Sequence, residues 1–202
     1  MAILSRILPM NFIFHRCRLR FIAWGFRAGW FGFLLFAALA SVGTVSAQPD
    51  RPPDYRIKAA FLYHFGQFVE WPANAFANAG SPLIIGVLGD DPFHGDLEGI
   101  TAGKSINGHP VVVRHIKALS DVKGCHILFI AASEKDQERE VLKSMDGASV
   151  LTVGETDDFI QAGGMINFII EDSQVHFQIN NDAARAVGLK ISSKLIKLSR
   201  PG

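Results

Sequence analysis

The sequence predicts an α/β single domain: a mainly parallel sheet flanked by helices, with an antiparallel hairpin toward the carboxy terminus. Three observations predict it. Short continuous apolar runs at residues 83–88, 111–113, 126–131 and 150–153 read as strands buried on both faces. Helical candidates lie between those runs, the order expected of a parallel sheet with crossover helices. Two further runs, 165–170 and 175–179, flank Asp172-Ser173, a pair suited to a hairpin tip.

Residues 1–47 read as a cleavable secretory signal that precedes this domain. Arg6, Arg16, Arg18, Arg20 and Arg27 supply positive charge, no acid occurs before Asp50, and residues 28–47 carry no charge. Val45-Ser46-Ala47 offers small residues where a signal peptidase cleaves, so the expected cut follows Ala47. The competing reading is an uncleaved anchor, since an uncharged run of this length almost spans a bilayer. Gly29, Gly32, Ser41, Gly43 and Thr44 dilute the run and favour cleavage. The basic region is long, and a start at Met10 would leave the pattern intact. Residues 48–202 are then the working domain, expected in the periplasm.

Loss of the signal changes the bulk properties. The chain has 20 Lys+Arg and 19 Asp+Glu, and five of the arginines but none of the acids lie in 1–47. Fifteen basic residues then face nineteen acidic ones, a net charge of −4. Taking 47 from 202 leaves 155 residues, enough for one substantial core. A mildly acidic domain lacks the positive footprint that nucleic acid requires, which excludes that class of partner. Cys17 falls in the signal and leaves Cys125 alone, so no intrachain disulfide is expected. Within the run 125–130, Cys125 reads as a small buried hydrophobe.

The elements of the domain follow in order. Asp54 is placed to cap a helix that runs to Trp71, where Pro72 stops it. Ile57, Phe61, His64, Phe65 and Phe68 share one face, and His64 reads there as a core histidine. The other faces are apolar too, which predicts packing on more than one side, within the domain or against a second subunit. After a loop rich in Ala, Asn and Gly come the strands, with helices expected at 92–100 and 134–145 and a turn at 118–122. Ser133 and Asp136 resemble a capping box for the second of these helices. In the hairpin, Val175, Phe177 and Ile179 alternate with His176, Gln178 and Asn180, giving one buried and one wet face. Asn180 or Asn181 caps a helix through Val187 with Gly188 just past its end, and an amphipathic segment at 193–198 closes the chain.

The chemical inventory is thin. Gly89-Asp90-Asp91-Pro92-Phe93 directly follows the first strand, at the edge where open parallel sheets bind ligands. Asp90, Asp91 and Phe93 are therefore the candidate ligand-binding residues. The structural alternative, which the pattern favours, is that Asp90 or Asp91 caps the next helix with Pro92 at its first position. Export argues against a phosphoacceptor role for the pair, because the kinase and its ATP are cytoplasmic. Gly163-Gly164 precedes a strand, not a helix, so it reads as a turn and not as a phosphate cradle. His64, His94, His109, His115, His126 and His176 show no metal-ligand spacing, and no nucleophile elbow or cofactor fingerprint occurs. No catalytic residue, metal or cofactor is expected. A binding or regulatory domain explains this better than an enzyme does.

A resemblance sharpens that expectation. Residues 55–65 and 68–72 resemble the opening helix of the YfiR family, and 82–93 its first strand and turn. Residues 125–130, 151–154, 163–168, 175–180 and 189–195 resemble further segments of that family in the same order. The resemblance implies a periplasmic α/β protein, a homodimer, that represses a membrane-bound diguanylate cyclase by binding its periplasmic sensor domain. It thereby restrains cyclic-di-GMP output and biofilm formation. Relatives set beside a histidine kinase or an outer-membrane receptor make a small-ligand-sensing domain the alternative. Family members also carry disulfides that act as redox switches, and Cys125 has no partner for one here. Partner or dimer contact falls to exposed apolar residues, with Phe168, Phe177, Ile179 and Leu195 as one candidate group. Phe61, Phe65, Phe68 and Trp71 on the first helix are the other.

Overall fold

A computed structural model describes residues 53–201. The expected signal and its cleavage point lie outside the described residues. The first helix, α1 (Pro53–Phe68), carries Asp54 in its first turn. It ends three residues before the predicted Trp71, because Val69–Glu70 forms a short strand, β1. β1 pairs antiparallel with Lys190–Ile191 near the end of the chain, and the Ser192 N–H donates to the Phe68 carbonyl at 2.9 Å. A tertiary pairing thus cuts a helix that local pattern alone would continue.

The main sheet contains β2 (Leu83–Leu88), β3 (Ser105–Ile106), β4 (His109–Ile116), β5 (Ile127–Ile130), β6 (Leu151–Gly154), β7 (Ile166–Glu171) and β8 (Gln174–Ile179). Its order is β3-β4-β2-β5-β6-β7-β8. The five central strands, β4-β2-β5-β6-β7, are all parallel, and β3 and β8 close the two sides antiparallel. Strand order reverses at β2, so the doubly wound switch point lies between the carboxyl ends of β2 and β5. The fold is the one the sequence predicts, with β7 and β8 as the hairpin. Asp172 and Ser173 both take positive φ, 51° and 59°, which is the turn that matches strand twist.

The pleat sorts the core into two layers. Ile85 and Val87, with Ile127, Phe129, Leu151, Val153, Ile166 and Phe168, face Ala59, Leu62 and Phe65 of α1. The same layer takes in Leu97 of α2 (Asp96–Thr101), Ala184 of α4 (Asn181–Ala186) and Leu195 of α5 (Ser193–Ile196). On the other face, Leu88, Leu128 and Ile130 meet Val141 and Leu142 of α3 (Glu138–Ser144), together with Phe159. Short β9 (Lys190–Ile191) joins β1 outside this sheet.

Several local expectations change. β4 is longer than predicted, and over its first six residues half-buried side chains alternate with exposed ones, so it is not buried on both faces as expected. The helix expected at 92–100 begins only at Asp96, and that expected at 134–145 splits into a 3-10 turn (Ala132–Gln137) followed by α3. No capping box forms there, since the Ser133 hydroxyl instead accepts from the Asp90 N–H at 2.9 Å. His64 is exposed and bonds to Gln67, one turn along α1, so it is not a core histidine. The Asn180 cap holds: its side chain accepts from the Ala183 N–H at 3.0 Å.

Candidate functional site

Two regions, at opposite ends of the parallel strands, gather the polar side chains that could serve a ligand. At the carboxyl edge, β2 ends at Leu88 and the chain turns through Gly89 with φ of 91°. A β-carbon at Gly89 would collide with Ser133 and Glu134, so only glycine lets the two loops of the switch point touch. Asp91 accepts from the Phe93 N–H at 2.9 Å. It therefore braces a turn ahead of α2 and does not cap the helix, as the favoured sequence reading had it. Phe93 is 1% exposed and packs edge-on against Phe129 and Tyr55, with centroids at 4.9 and 6.0 Å. The three predicted ligand residues thus diverge: Asp90 faces solvent, Asp91 is tied into a turn and Phe93 enters the core.

Next to them stands a group the sequence does not announce. Lys58 of α1 and Glu155, just beyond β6, form an ion pair at 2.7 Å with side chains only 8% and 5% exposed. Glu155 also accepts from the Ala132 N–H at 3.2 Å and from the Tyr55 hydroxyl at 3.4 Å. The Lys58 ammonium lies 4.4 Å from the Tyr55 ring centroid. Burial, then the Glu155 carboxylate, pushes the Tyr55 phenol above its ordinary range. The members bond to one another, so this cluster ties α1 to the switch point. Among the described residues, no three His, Cys, Asp or Glu side chains gather closely enough to hold a metal ion.

The amino edge is different. A cavity of about 630 Å³ opens there, lined by Trp71, Phe76, Leu83, Ile106, Asn107 and His109 among others. Its polar and apolar lining and its size suit a small molecule. One wall is the loop 72–82. Phe76 from this loop sits between two imidazoles, His109 at 3.7 Å and 14° and His126 at 4.3 Å and 16° between ring planes. Trp71 meets both Phe76 and His126 edge-on.

The hydrogen bonds fix how these rings are protonated. His126 Nδ1 accepts from the Ile84 N–H at 3.1 Å, and its Nε2–H donates to the Ala75 carbonyl at 3.2 Å. His109 Nδ1–H donates to the Ser81 carbonyl at 2.7 Å. Burial holds His126 below the ordinary imidazole range; the Ala75 carbonyl opposes this and nearby His109 reinforces it. In the sequence, His126 opens an apolar run, His109 stands two residues ahead of another, and Phe76 lies in an Ala-Asn-Gly loop. Only the parallel register of β4, β2 and β5 brings them together.

The candidate contact residues fall into two groups. Phe65, Phe168, Phe177 and Leu195 are buried, and Phe61, Phe65, Phe168 and Phe177 interlock with centroids 5.2–6.2 Å apart. That cluster clasps α1 to the hairpin and uses these rings as core. Phe61, Phe68, Trp71 and Ile179 are half-buried and retain some surface. The large apolar side chains most open to solvent are others, namely Ile57, Val112, Ile170 and Leu198, at 43–69%.

No curated protein matches the chain. Among solved structures, it is similar to the ABC domain in complex with L-Trp from Streptococcus pneumonia, at a TM-score of 0.45 and 12% identity over 59% of this chain and 54% of that one. It is also similar to a conserved domain protein from Vibrio cholerae O1 biovar eltor str. N16961, at 0.49 and 10% over 73% and 59%. The chain therefore spans little more than half the length of either structure, and likeness at this level carries no argument about function. The family match is of another order. Residues 55–200, from the first turn of α1 to the penultimate described residue, match the YfiR/HmsC-like family, and the chain belongs to it.

Proposed function

We propose that the protein is a periplasmic regulator that represses a membrane-bound diguanylate cyclase, or a related sensor enzyme, by binding its periplasmic domain. Cyclic-di-GMP output and biofilm formation would fall as a result. The observation that carries this reading is the family match over residues 55–200, directly behind an amino-terminal stretch with the composition of an export signal. The physical chemistry is compatible with it. The buried charges at the switch point are already paired with one another. Residues 48–202 then act as one domain, as a homodimer, with residues 1–47 removed on export. The half-buried Phe61, Phe68, Trp71 and Ile179 and the exposed Ile57 and Ile170 are apolar side chains with surface available to a partner.

The test has a cellular and a biochemical arm. Deleting the gene should raise intracellular cyclic-di-GMP, and the tagged protein should retain a detergent-solubilised diguanylate cyclase from the same cells. Unchanged cyclic-di-GMP together with no retained cyclase or sensor kinase would sink the proposal.

The cavity at the amino edge favours a second reading, a small-ligand-sensing domain that feeds a histidine kinase or an outer-membrane receptor. Its pocket would be the one beside Trp71 and Phe76, not the Asp90–Asp91 turn. Substitutions at Asn107 should then weaken ligand binding, whereas substitutions at Asp90 should not.

A further inference from the structure

The loop 72–82 is secured to the sheet in a particular way. Its own turns are internal, with Ala75 N–H to the Pro72 carbonyl and Ser81 N–H to that of Asn78. Among the described residues, the hydrogen bonds that tie it to the sheet are those from His126 to Ala75 and from His109 to Ser81. Its aromatic anchor, Phe76, is held between the same two rings. Each of these ties runs through an imidazole.

The two imidazoles respond differently to a proton. His109 donates from Nδ1, and charging its other nitrogen leaves that bond in place. His126 works in one state only. Its Nδ1 lone pair faces the Ile84 N–H while Nε2–H serves Ala75. A proton on Nδ1 sets two N–H groups against each other, and the ring cannot turn over without losing Ala75. Stacking of a charged imidazolium on Phe76 would return part of the loss. That gain is opposed by burial of the charge and by His109 across the same phenyl ring.

We propose that His126 is a proton-operated latch: neutral, it holds the loop 72–82 against the sheet as a wall of the cavity, and protonated, it lets the loop go.

The surroundings agree. Burial lowers the affinity of His126 for a proton in the closed form, and His109 is the titratable group that faces it across Phe76. Cys125, its neighbour in the chain, is a buried thiol pushed above its ordinary range and therefore stays neutral. Glu70 lines the same cavity but is largely exposed, with Lys190 4.0 Å away. Among the described ion pairs, none joins a carboxylate to His109 or His126. Released to solvent, the ring escapes the burial that disfavours its charged form, so the open state gains its proton first as pH falls. Opening therefore grows with acidity.

Hydrogen–deuterium exchange of the full chain tests this at pH 7.5 and 5.0, after correction for the intrinsic pH dependence of exchange. Amides of the loop and of Ile84 should lose about tenfold or more of their protection at the lower pH, as expected for one linked proton. Amides of β5 and β6 should not. In His126→Asn, whose side-chain carbonyl can still accept from Ile84, the pH effect should vanish. Unchanged loop protection, an equal loss in β5 and β6, or the same pH response in His126→Asn would each overturn the latch. The inference does not rest on the diguanylate cyclase reading, and neither result decides the other.

Discussion

Asp91 reads from the sequence as half of a ligand-binding pair or a helix cap, and in the structure it serves a turn and caps no helix. Its carboxylate accepts one backbone N–H, that of Phe93, and lies 3.9 Å from His115 Nδ1. The strand-to-turn pattern correctly signalled that an aspartate would satisfy a local amide, but placed the helix four residues too early. Asp91→Ala should cost about 1 kcal/mol of stability, the usual worth of one such bond, in a urea unfolding curve. Any small molecule that binds the cavity should keep its affinity in this variant. A drop in affinity with no change in stability would return Asp91 to the ligand site. Cys125 shows the opposite case. A thiol inside an apolar run reads as core from sequence alone, and in the structure it is buried.

At the scale of elements, the strands were the most legible part. β2 and the hairpin lie where their apolar periodicity puts them, because side-chain alternation and turn chemistry are local properties. Helix ends were less legible. α1 stops early because β9, some 120 residues later, pairs with its continuation, and no local rule contains that information. The Lys58–Glu155 pair was invisible for the same reason, with one partner on the first helix and the other beyond the sixth strand. Lys58→Met should destabilise the domain by about 3 kcal/mol, because it strands a buried carboxylate. Adding Glu155→Gln should recover most of that loss, since the amide oxygen can still accept from Ala132 and Tyr55. A double-mutant cycle with no coupling would show that the pair carries no such role. Glu70 and Lys190, 4.0 Å apart and almost fully exposed, offer a contrast in which little coupling is expected.

For the whole molecule, the two core layers hold the domain together without a covalent staple, since Cys125 is the free cysteine of the described residues. Residues 48–202 produced alone should unfold in one cooperative transition, with the same Tm in the presence and absence of dithiothreitol. A reductant-induced fall of several degrees would reveal an intermolecular disulfide and reopen redox control of the kind the family resemblance implies.

By itself, the sequence determined the class of fold, the hairpin, the absence of an intrachain disulfide in the expected exported domain and the family. Each is written in local periodicity, in composition or in an ordered series of short motifs. The tertiary structure alone decided where polar chemistry converges. Parallel pairing of β4, β2 and β5 sets His109 and His126 on either side of Phe76, and sends Phe93 inward, away from the two aspartates beside it. The reason is physical. Hydrophobic patterning fixes which face of a strand is buried, but strand order and register fix which distant side chains meet at its ends.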